Sequence, residues 1–138
     1  MTDISVETTA YQTENRSWLI PQPGGIGHGY TPSGTLSVAA FTAGTHYPNG
    51  FVPSGTALGR ITASGLLGPY DPAATDGRET AVGFLFASLP VKSGGANKGC
   101  AYVAAFAVVK TSKLPFQSGT GSLDAAGQAD LPTIHFEA

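Results

Sequence analysis

The stretch of residues 51–85 constrains the fold more than any other part of the sequence. Two candidate strands, residues 57–63 and 79–87, flank a loop that contains Pro69 and Pro72. Glycine and proline interrupt the chain throughout, with 19 Gly and 10 Pro in 138 residues. Because both residue types weaken helices and mark turns, this spacing predicts short strands joined by tight turns.

Other segments extend the same pattern. Apolar residues alternate or run continuously in three more candidate strands, residues 35–42, 100–110 and 131–136. One short helix is predicted over residues 122–130, with Ser122 as its N-cap. We therefore expect a mainly β fold, a small β-rich barrel or sandwich with one short helix and an extended N-terminal arm.

The composition limits the function classes. A chain of 138 residues predicts one domain that can bury its own core. Only 12% of the residues are charged and the net charge is −2, so no basic face is expected for nucleic acid. No charged residue occurs between Ser17 and Gly59. Such a neutral stretch is typical either of a surface that a partner covers or of loops and buried strands, and both readings stay open.

The single cysteine argues against a disulfide framework, and the apolar runs are too short for a membrane span. Cys100 stands alone, which excludes an intrachain disulfide and fits assembly in a reducing cytoplasm. We expect it to be a small buried residue of a strand rather than a reactive thiol. The first residues lack the basic and apolar regions of a signal peptide, and no apolar run reaches the roughly 20 residues of a membrane span.

The N-terminal quarter of the sequence is predicted to lie outside the compact domain. Residues 1–34 are predicted to be a flexible arm and residues 35–138 the β-rich domain. Ile4 and Val6 alternate with polar residues, as in a strand. Trp18, Leu19 and Ile20 form a compact apolar cluster, and a Gly- and Pro-rich linker follows them.

No catalytic or metal-binding pattern emerges from the sequence. The three histidines are isolated from one another and from carboxylate clusters, and are expected to be surface or hydrogen-bonding residues: His28, His46 and His135. The carboxylates of the middle loop are explained as turn residues, because Asp71 precedes a proline and Asp76 a glycine. The glycine-rich residues 24–29 lack the Lys-Ser/Thr of a phosphate-binding loop. We expect no enzyme, no metal and no cofactor.

Four pieces of the sequence carry a family resemblance: residues 53–61, 69–72, 76–85 and 131–136. In these pieces the chain resembles the head decoration proteins of tailed bacteriophages, the family of the bacteriophage lambda decoration protein. The resemblance covers most of residues 35–136. Its motifs are structural, strands and turns, and contain no catalytic group.

The resemblance implies a mechanical function. Such proteins are homotrimers with a small β-rich fold, sometimes called a β-tulip. They bind at the local three-fold axes of an icosahedral head built from HK97-type major capsid protein, after the head has expanded, and stabilise it against the pressure of packaged DNA. The implied location is the outer surface of the virion, with synthesis in the host bacterial cytoplasm. Neither nucleic acid nor membrane is an expected partner.

Two sets of residues are candidate contacts. In the family the N-terminal arm lies along the capsid and adds a strand to it, which suits an alternating segment. The candidate arm contacts are Ile4, Val6, Tyr11, Trp18, Leu19 and Ile20. The candidate trimer contacts, chosen as an apolar loop side of the domain, are Phe51, Val52, Leu66 and Leu67.

Three alternatives remain open at this stage. The first is another structural component of the virion, such as a spike or a head-tail joining protein. The second is a displayed carbohydrate- or host-binding module, which requires an exposed aromatic platform that Tyr30, Tyr47 and Tyr70 could supply. The third is a small β-barrel enzyme, which would need a pocket with convergent ionisable groups.

Overall fold

A computed structural model describes residues 14–20 and 30–138 of the chain. Two short helices, α1 (Ala43–His46) and α2 (Ala125–Ala129), accompany ten short strands. The strands are β1 (Leu19–Ile20), β2 (Ser33–Leu36), β3 (Phe51–Val52), β4 (Ala57–Arg60), β5 (Leu67–Pro69), β6 (Ala81–Leu85), β7 (Leu89–Pro90), β8 (Lys98–Val103), β9 (Val108–Lys110) and β10 (His135–Glu137). The fold is mainly β, as expected from the sequence.

Five strands close into a barrel in the order β2-β5-β4-β6-β8. All neighbours are antiparallel except β2 and β5, which run parallel and are joined by the pair Leu36 and Leu67. Closure leaves these strands without an open edge, which protects them from edge-to-edge aggregation.

Every barrel strand sends one side chain into a shared apolar cluster. These residues are Leu36, Leu58, Leu67, Leu85 and Tyr102. Their sequence neighbours Ala57, Phe84 and Val103 belong to a second cluster. Because adjacent residues of a strand point to opposite faces, the first cluster fills the barrel and the second covers its outside. The barrel wall is therefore buried on both faces at β4, β6 and the end of β8, whereas Thr35 of β2 and Gly99 of β8 are exposed.

A second sheet lies over the outer cluster. It has the order β1-β9-β10, with β1 antiparallel and β10 parallel to the central strand β9. Val109 of β9, Leu131 and Ile134 pack into the outer cluster together with Phe84 of the barrel. A third, two-stranded sheet pairs β3 with β7.

Close backbone approach requires glycine in the barrel wall. At Gly59, where the register of β4 and β6 shifts, a Cβ atom would lie 2.6 Å from the Cα and 2.7 Å from the carbonyl oxygen of Arg78. Only glycine lets the Arg78 turn cross the wall this closely. At Gly99 of β8 a Cβ atom would meet nothing within 4 Å.

The predicted helix is shorter than expected and has a different cap. It spans Ala125–Ala129, and Asp124 rather than Ser122 caps it by accepting a hydrogen bond from the amide of Gly127 at 2.8 Å. Ser122 donates its hydroxyl to the carbonyl of Gly119 instead. The Tyr70 hydroxyl also binds the Asp124 carboxylate, at 2.8 Å, which ties the helix start to the barrel. This tertiary contact selects Asp124 as the cap.

The longest predicted strand is broken. Residues 100–110 divide into β8, which ends at Val103, and β9, which begins at Val108. Between them the chain leaves the barrel and joins the second sheet, and Phe106 has a positive φ of 56° at this point. The predicted strand over residues 35–42 likewise ends at Leu36, followed by a single 3-10 turn at Val38–Ala40.

The predicted boundary at residue 34 cuts through elements of the domain. Strand β2 already begins at Ser33, and residues 14–20 pack onto the domain through β1. Residues 1–13 and 21–29 lie outside the described residues. The division into a flexible arm over residues 1–34 and a β-rich domain over residues 35–138 stays a prediction.

Replacing Gly59 by alanine should destabilise the barrel. The new methyl group would overlap the Arg78 backbone, which cannot yield as a flexible side chain does, so we expect a loss of about 2 kcal/mol or more in the free energy of unfolding. Denaturant titration measures the loss. Gly99→Ala is the matched control in another barrel strand and should change stability by less than about 1 kcal/mol. Equal losses would contradict the close-approach explanation.

Candidate functional site: the N-terminal segment and the exposed surfaces

The indole of Trp18 fixes the N-terminal segment to the domain. Its side chain is fully buried, and its ring centroid lies 5.5 Å from that of Phe84 in the barrel wall. Its Nε1–H donates to Ser54 Oγ at 3.1 Å, so the one polar atom of the indole is satisfied. A Cβ atom at Gly55 would lie 2.9 Å from the indole, so glycine makes room for the ring.

A polar network surrounds this seat. Ser54 donates its hydroxyl to the carbonyl of Phe86 at 2.7 Å, and its amide donates to Ser88 Oγ at 2.9 Å. The Ser88 amide in turn donates to the Glu14 carboxylate at 3.1 Å. Glu14 is therefore held beside the start of β7.

Arg16 forms a second clamp. Its Nε donates to the Phe86 carbonyl at 3.0 Å, and its guanidinium carbon lies 4.4 Å from the centroid of the Phe86 ring. The same nitrogen is 3.2 Å from the Glu14 carboxylate. The carbonyl of Trp18, two residues after Arg16, accepts a hydrogen bond from the Lys110 amide at 2.7 Å. This bond continues the pairing of β1 with β9.

The structure divides the candidate arm contacts into two groups. Trp18 and Leu19 are buried in the outer cluster of the protomer, and Ile20 is half-buried in β1. Trp18 and Leu19 are thus buried in their own domain, and a capsid-contacting role for Trp18, Leu19 and Ile20 stays a prediction. Ile4, Val6 and Tyr11 lie outside the described residues, and their role stays a prediction.

The candidate trimer contacts also divide. Val52 and Leu67 are fully buried in the barrel cluster of their own protomer, so they have no surface for a second copy in this structure. Phe51 and Leu66 are half-buried. Phe51 borders a pocket of about 250 Å³ beside the N-terminal segment, which Asn15 and Pro115 also line. A trimer contact at Phe51 and Leu66 stays a prediction.

The tyrosine platform of the carbohydrate-binding alternative does not form. Tyr70 is fully buried and Tyr47 is 6% exposed, whereas Tyr30 is 59% exposed. Burial and its bond to Asp124 raise the pKa of Tyr70. The other large exposed apolar side chain of the described residues is Phe106, next to Ala105, which bridges to Tyr30.

His46 joins two loops inside the domain. Its Nδ1 accepts from the amide of Thr42 at 2.8 Å, and its Nε2 lies 2.9 Å from Thr120 Oγ1. The ring packs edge-on against Phe41 and Phe116. Since Nδ1 is an acceptor, the neutral imidazole carries its proton on Nε2, and a second proton would abolish the bond from Thr42. Burial lowers the pKa of His46.

The carboxylates of the middle loop act in turns, as expected. Asp71 accepts from the amide of Ala73, Glu79 from the amide of Gly77, and Asp76 pairs with the Arg78 guanidinium at 3.1 Å. Asp76 accepts hydrogen bonds from both the backbone amide and the guanidinium of Arg78, and these bonds lower the pKa of Asp76. Burial raises the pKa of the Cys100 thiol, which is half-buried against the barrel cluster.

Residues 14–20 and 30–138 offer neither a metal-binding cluster nor a membrane-spanning helix. Those residues contain no group of three or more His, Cys, Asp or Glu side chains that could hold a metal ion. Among the same residues no helix is long and apolar enough to cross a membrane.

The sequence did not identify the partners of Trp18. The position of Ser54 between Pro53 and Gly55 indicates only a turn, although its hydroxyl accepts the hydrogen bond from the indole N–H of Trp18. The Arg16 clamp was also missed, because a lone arginine in a polar segment gives no signal of the ring on which it stacks. Only the apolar cluster at residues 18–20 marked the segment as a contact.

Trp18→Phe should weaken the attachment of the N-terminal segment. Phenylalanine keeps an apolar ring but loses the bond to Ser54 and leaves part of the seat empty, so we expect the free energy of unfolding to fall by about 1–3 kcal/mol. Denaturant titration followed by circular dichroism measures it. Ser17→Ala, at the exposed neighbouring position, is the control and should change stability by less than about 0.5 kcal/mol. A Trp18→Phe variant as stable as the parent would show that the seat contributes nothing.

The protein should lose stability in mild acid through His46. The unfolded chain takes up a proton near the ordinary pKa of 6.5, whereas the folded state resists it. Stability is therefore fully present above pH 6.5 and falls as the pH decreases below it, with a slope of at most about 1.4 kcal/mol per pH unit. Unfolding titrations between pH 7.5 and 5 should show this slope in the parent and in His135→Gln, an exposed control. In His46→Gln the slope should disappear; an unchanged slope there would exclude His46 as its source.

The chain is similar to one family of known proteins. Residues 29–136, most of the chain, match the family described as bacteriophage lambda head decoration protein D. Neither the curated proteins nor the solved structures gave a match. The matched region contains the whole barrel, both helices, strand β9 and the first two residues of β10. The chain therefore belongs to the bacteriophage lambda head decoration protein D family.

Proposed function

We propose that this chain is a cement protein: a homotrimer that binds at local three-fold axes on the outside of an expanded icosahedral phage head. Its family is one of virion components, and the family assignment is the observation that carries the proposal. The partner would be a major capsid protein of the HK97 type. The protein would stabilise the head against the internal pressure of packaged DNA, with no chemical step.

The fixed N-terminal segment supports a role for residues 1–13. Glu14, Arg16 and Trp18 anchor the segment beside Ser88 and Phe86, so the preceding residues start from a point that the domain defines. In the proposal, Ile4 and Val6 face the capsid and the segment adds a strand to the major capsid protein. Tyr11 supplies an aromatic anchor closer to the domain.

Three copies would act together. A trimer presents three N-terminal segments, and once one is bound the others find their sites at a high effective concentration. Weak single contacts therefore add up to tight attachment without a large rigid interface. Phe51 and Leu66 are the half-buried apolar residues proposed for contacts between the copies.

Co-sedimentation with purified, expanded, undecorated capsids tests the proposal. The parent should saturate near three copies per three-fold site, and a chain lacking residues 1–13 should bind at least about ten-fold more weakly, because the multivalent contacts are lost. The deletion keeps the Trp18 seat, so the domain remains folded. Absence of binding by the parent would reject the cement role.

A pair of charge-matched variants separates strand addition from nonspecific attraction. Ile4→Asp/Val6→Asp places two charges on the apolar side of the alternation and should weaken binding as the deletion does. Ser5→Asp/Thr9→Asp adds the same charge on the other side and should bind within about three-fold of the parent. Equal losses in the two variants would reject the one-sided strand.

A further inference from the structure

One end of the barrel carries two basic side chains, Arg60 and Lys98, that form no ion pair within the described residues. Strands β2 and β4 end there, with Leu36 and Arg60, and strands β5 and β8 begin there, with Leu67 and Lys98. The register makes them neighbours in one row, because Lys98 is opposite Leu36, Leu36 opposite Leu67, and Leu67 opposite Arg60. Three strand spacings of about 4.8 Å separate the two cations along the wall.

Both cations stand on the inner face of their strands. Lys98 shares the parity of Tyr102, and Arg60 shares that of Leu58, and both of those side chains fill the barrel. The Arg60 guanidinium donates to the Tyr102 hydroxyl and to the Gly65 carbonyl, each at 2.8 Å. It is therefore held in place by two neutral acceptors, and the rest of its donor fork remains for another acceptor.

An apolar pocket adjoins this row. Its volume is about 290 Å³, and Gly50, Pro90, Val91 and Ala96 line it together with Lys92 and Lys98. Both lysines are exposed. Within residues 14–20 and 30–138, neither lysine nor Arg60 forms an ion pair, since the carboxylate pairs there involve Arg16, Arg78 and His135.

The two carboxylates of the turn before β6 bind groups of that turn and not Arg60. Asp76 pairs with Arg78, and Glu79 accepts the amide of Gly77, both within the turn that precedes β6. The Arg78 side chain lies outside the wall, over Gly68, and not over the barrel end. Within the described residues, Arg60 and Lys98 at the barrel end and Lys92 at the adjoining pocket therefore form no ion pair, although the chain carries a net charge of −2.

We propose that the barrel end with Arg60 and Lys98, together with Lys92 of the adjoining pocket, binds an extended acidic peptide segment of a partner protein, with an apolar side chain of that segment in the pocket. Charge complementarity selects the partner. A nucleic acid fits less well, because the pocket is mainly apolar and the chain as a whole repels phosphate. The inference rests on the proposed function, in which the partner belongs to the phage head, but concerns a surface apart from residues 1–13.

Charge-matched lysine variants test the inference on capsids. Lys92→Gln/Lys98→Gln should bind expanded capsids about ten-fold more weakly at low ionic strength, and the difference should shrink as salt is raised. Lys110→Gln/Lys113→Gln removes the same charge from the region of β9 and should bind within about two-fold of the parent. If the parent binds and both variants bind equally well, the inference is overturned and the cement role stands.

A second measurement does not depend on capsids. The full chain, labelled with ¹⁵N, is titrated with the synthetic peptide acetyl-Glu-Val-Glu-Val-Glu-amide, and amide shifts should concentrate at residues 60–67 and 90–98. The same peptide with lysine in place of glutamate is the control. Scattered shifts, equal shifts with the lysine peptide, or stronger shifts with a DNA duplex would each overturn the acidic-peptide assignment, whatever the outcome with capsids.

Discussion

The structure depends on the part of the barrel wall that is buried on both faces, chiefly strands β4 and β6. Inside, one residue from each of the five strands packs into a common cluster, and outside, Ala57, Phe84 and Val103 support the second sheet. A wall of this kind cannot follow the simple alternation of apolar and polar residues, because both sides need apolar side chains. It also explains why so short a set of strands can hold together without disulfides.

The outer cluster couples the N-terminal segment to the rest of the domain. Trp18 rests on Phe84 of the wall while its backbone pairs with β9, so the barrel, the second sheet and the segment share one core. If residues 1–13 attach to the capsid as proposed, this coupling has a mechanical consequence. The Trp18 seat and the pairing of β1 with β9 would then transmit a pull on those residues to the barrel. The barrel end with Arg60 and Lys98 offers a second, electrostatic contact that does not involve this segment.

The sequence predicted the fold class because glycine and proline punctuation restricts local structure directly. It misplaced details that depend on contacts between distant residues. The apolar run from Cys100 to Lys110 continues through the break because the chain changes sheets there and is buried again from Ala107, although Phe106 itself is exposed. Ser122 and Asp124 are both good caps by residue type, and the bond to Tyr70 decides between them. For Trp18 the sequence predicted a contact with a partner and gave no sign of the seat that Ser54 and Gly55 form within the domain.

The central claim is that residues 14–20 belong to the folded domain before any partner binds. Trp18 is the only tryptophan of the chain, so its fluorescence reports directly on this segment. In the isolated protein we expect blue-shifted emission and strong protection from acrylamide quenching, both unchanged when residues 1–13 are removed. Emission typical of a solvent-exposed indole, becoming protected only after capsids are added, would contradict the account.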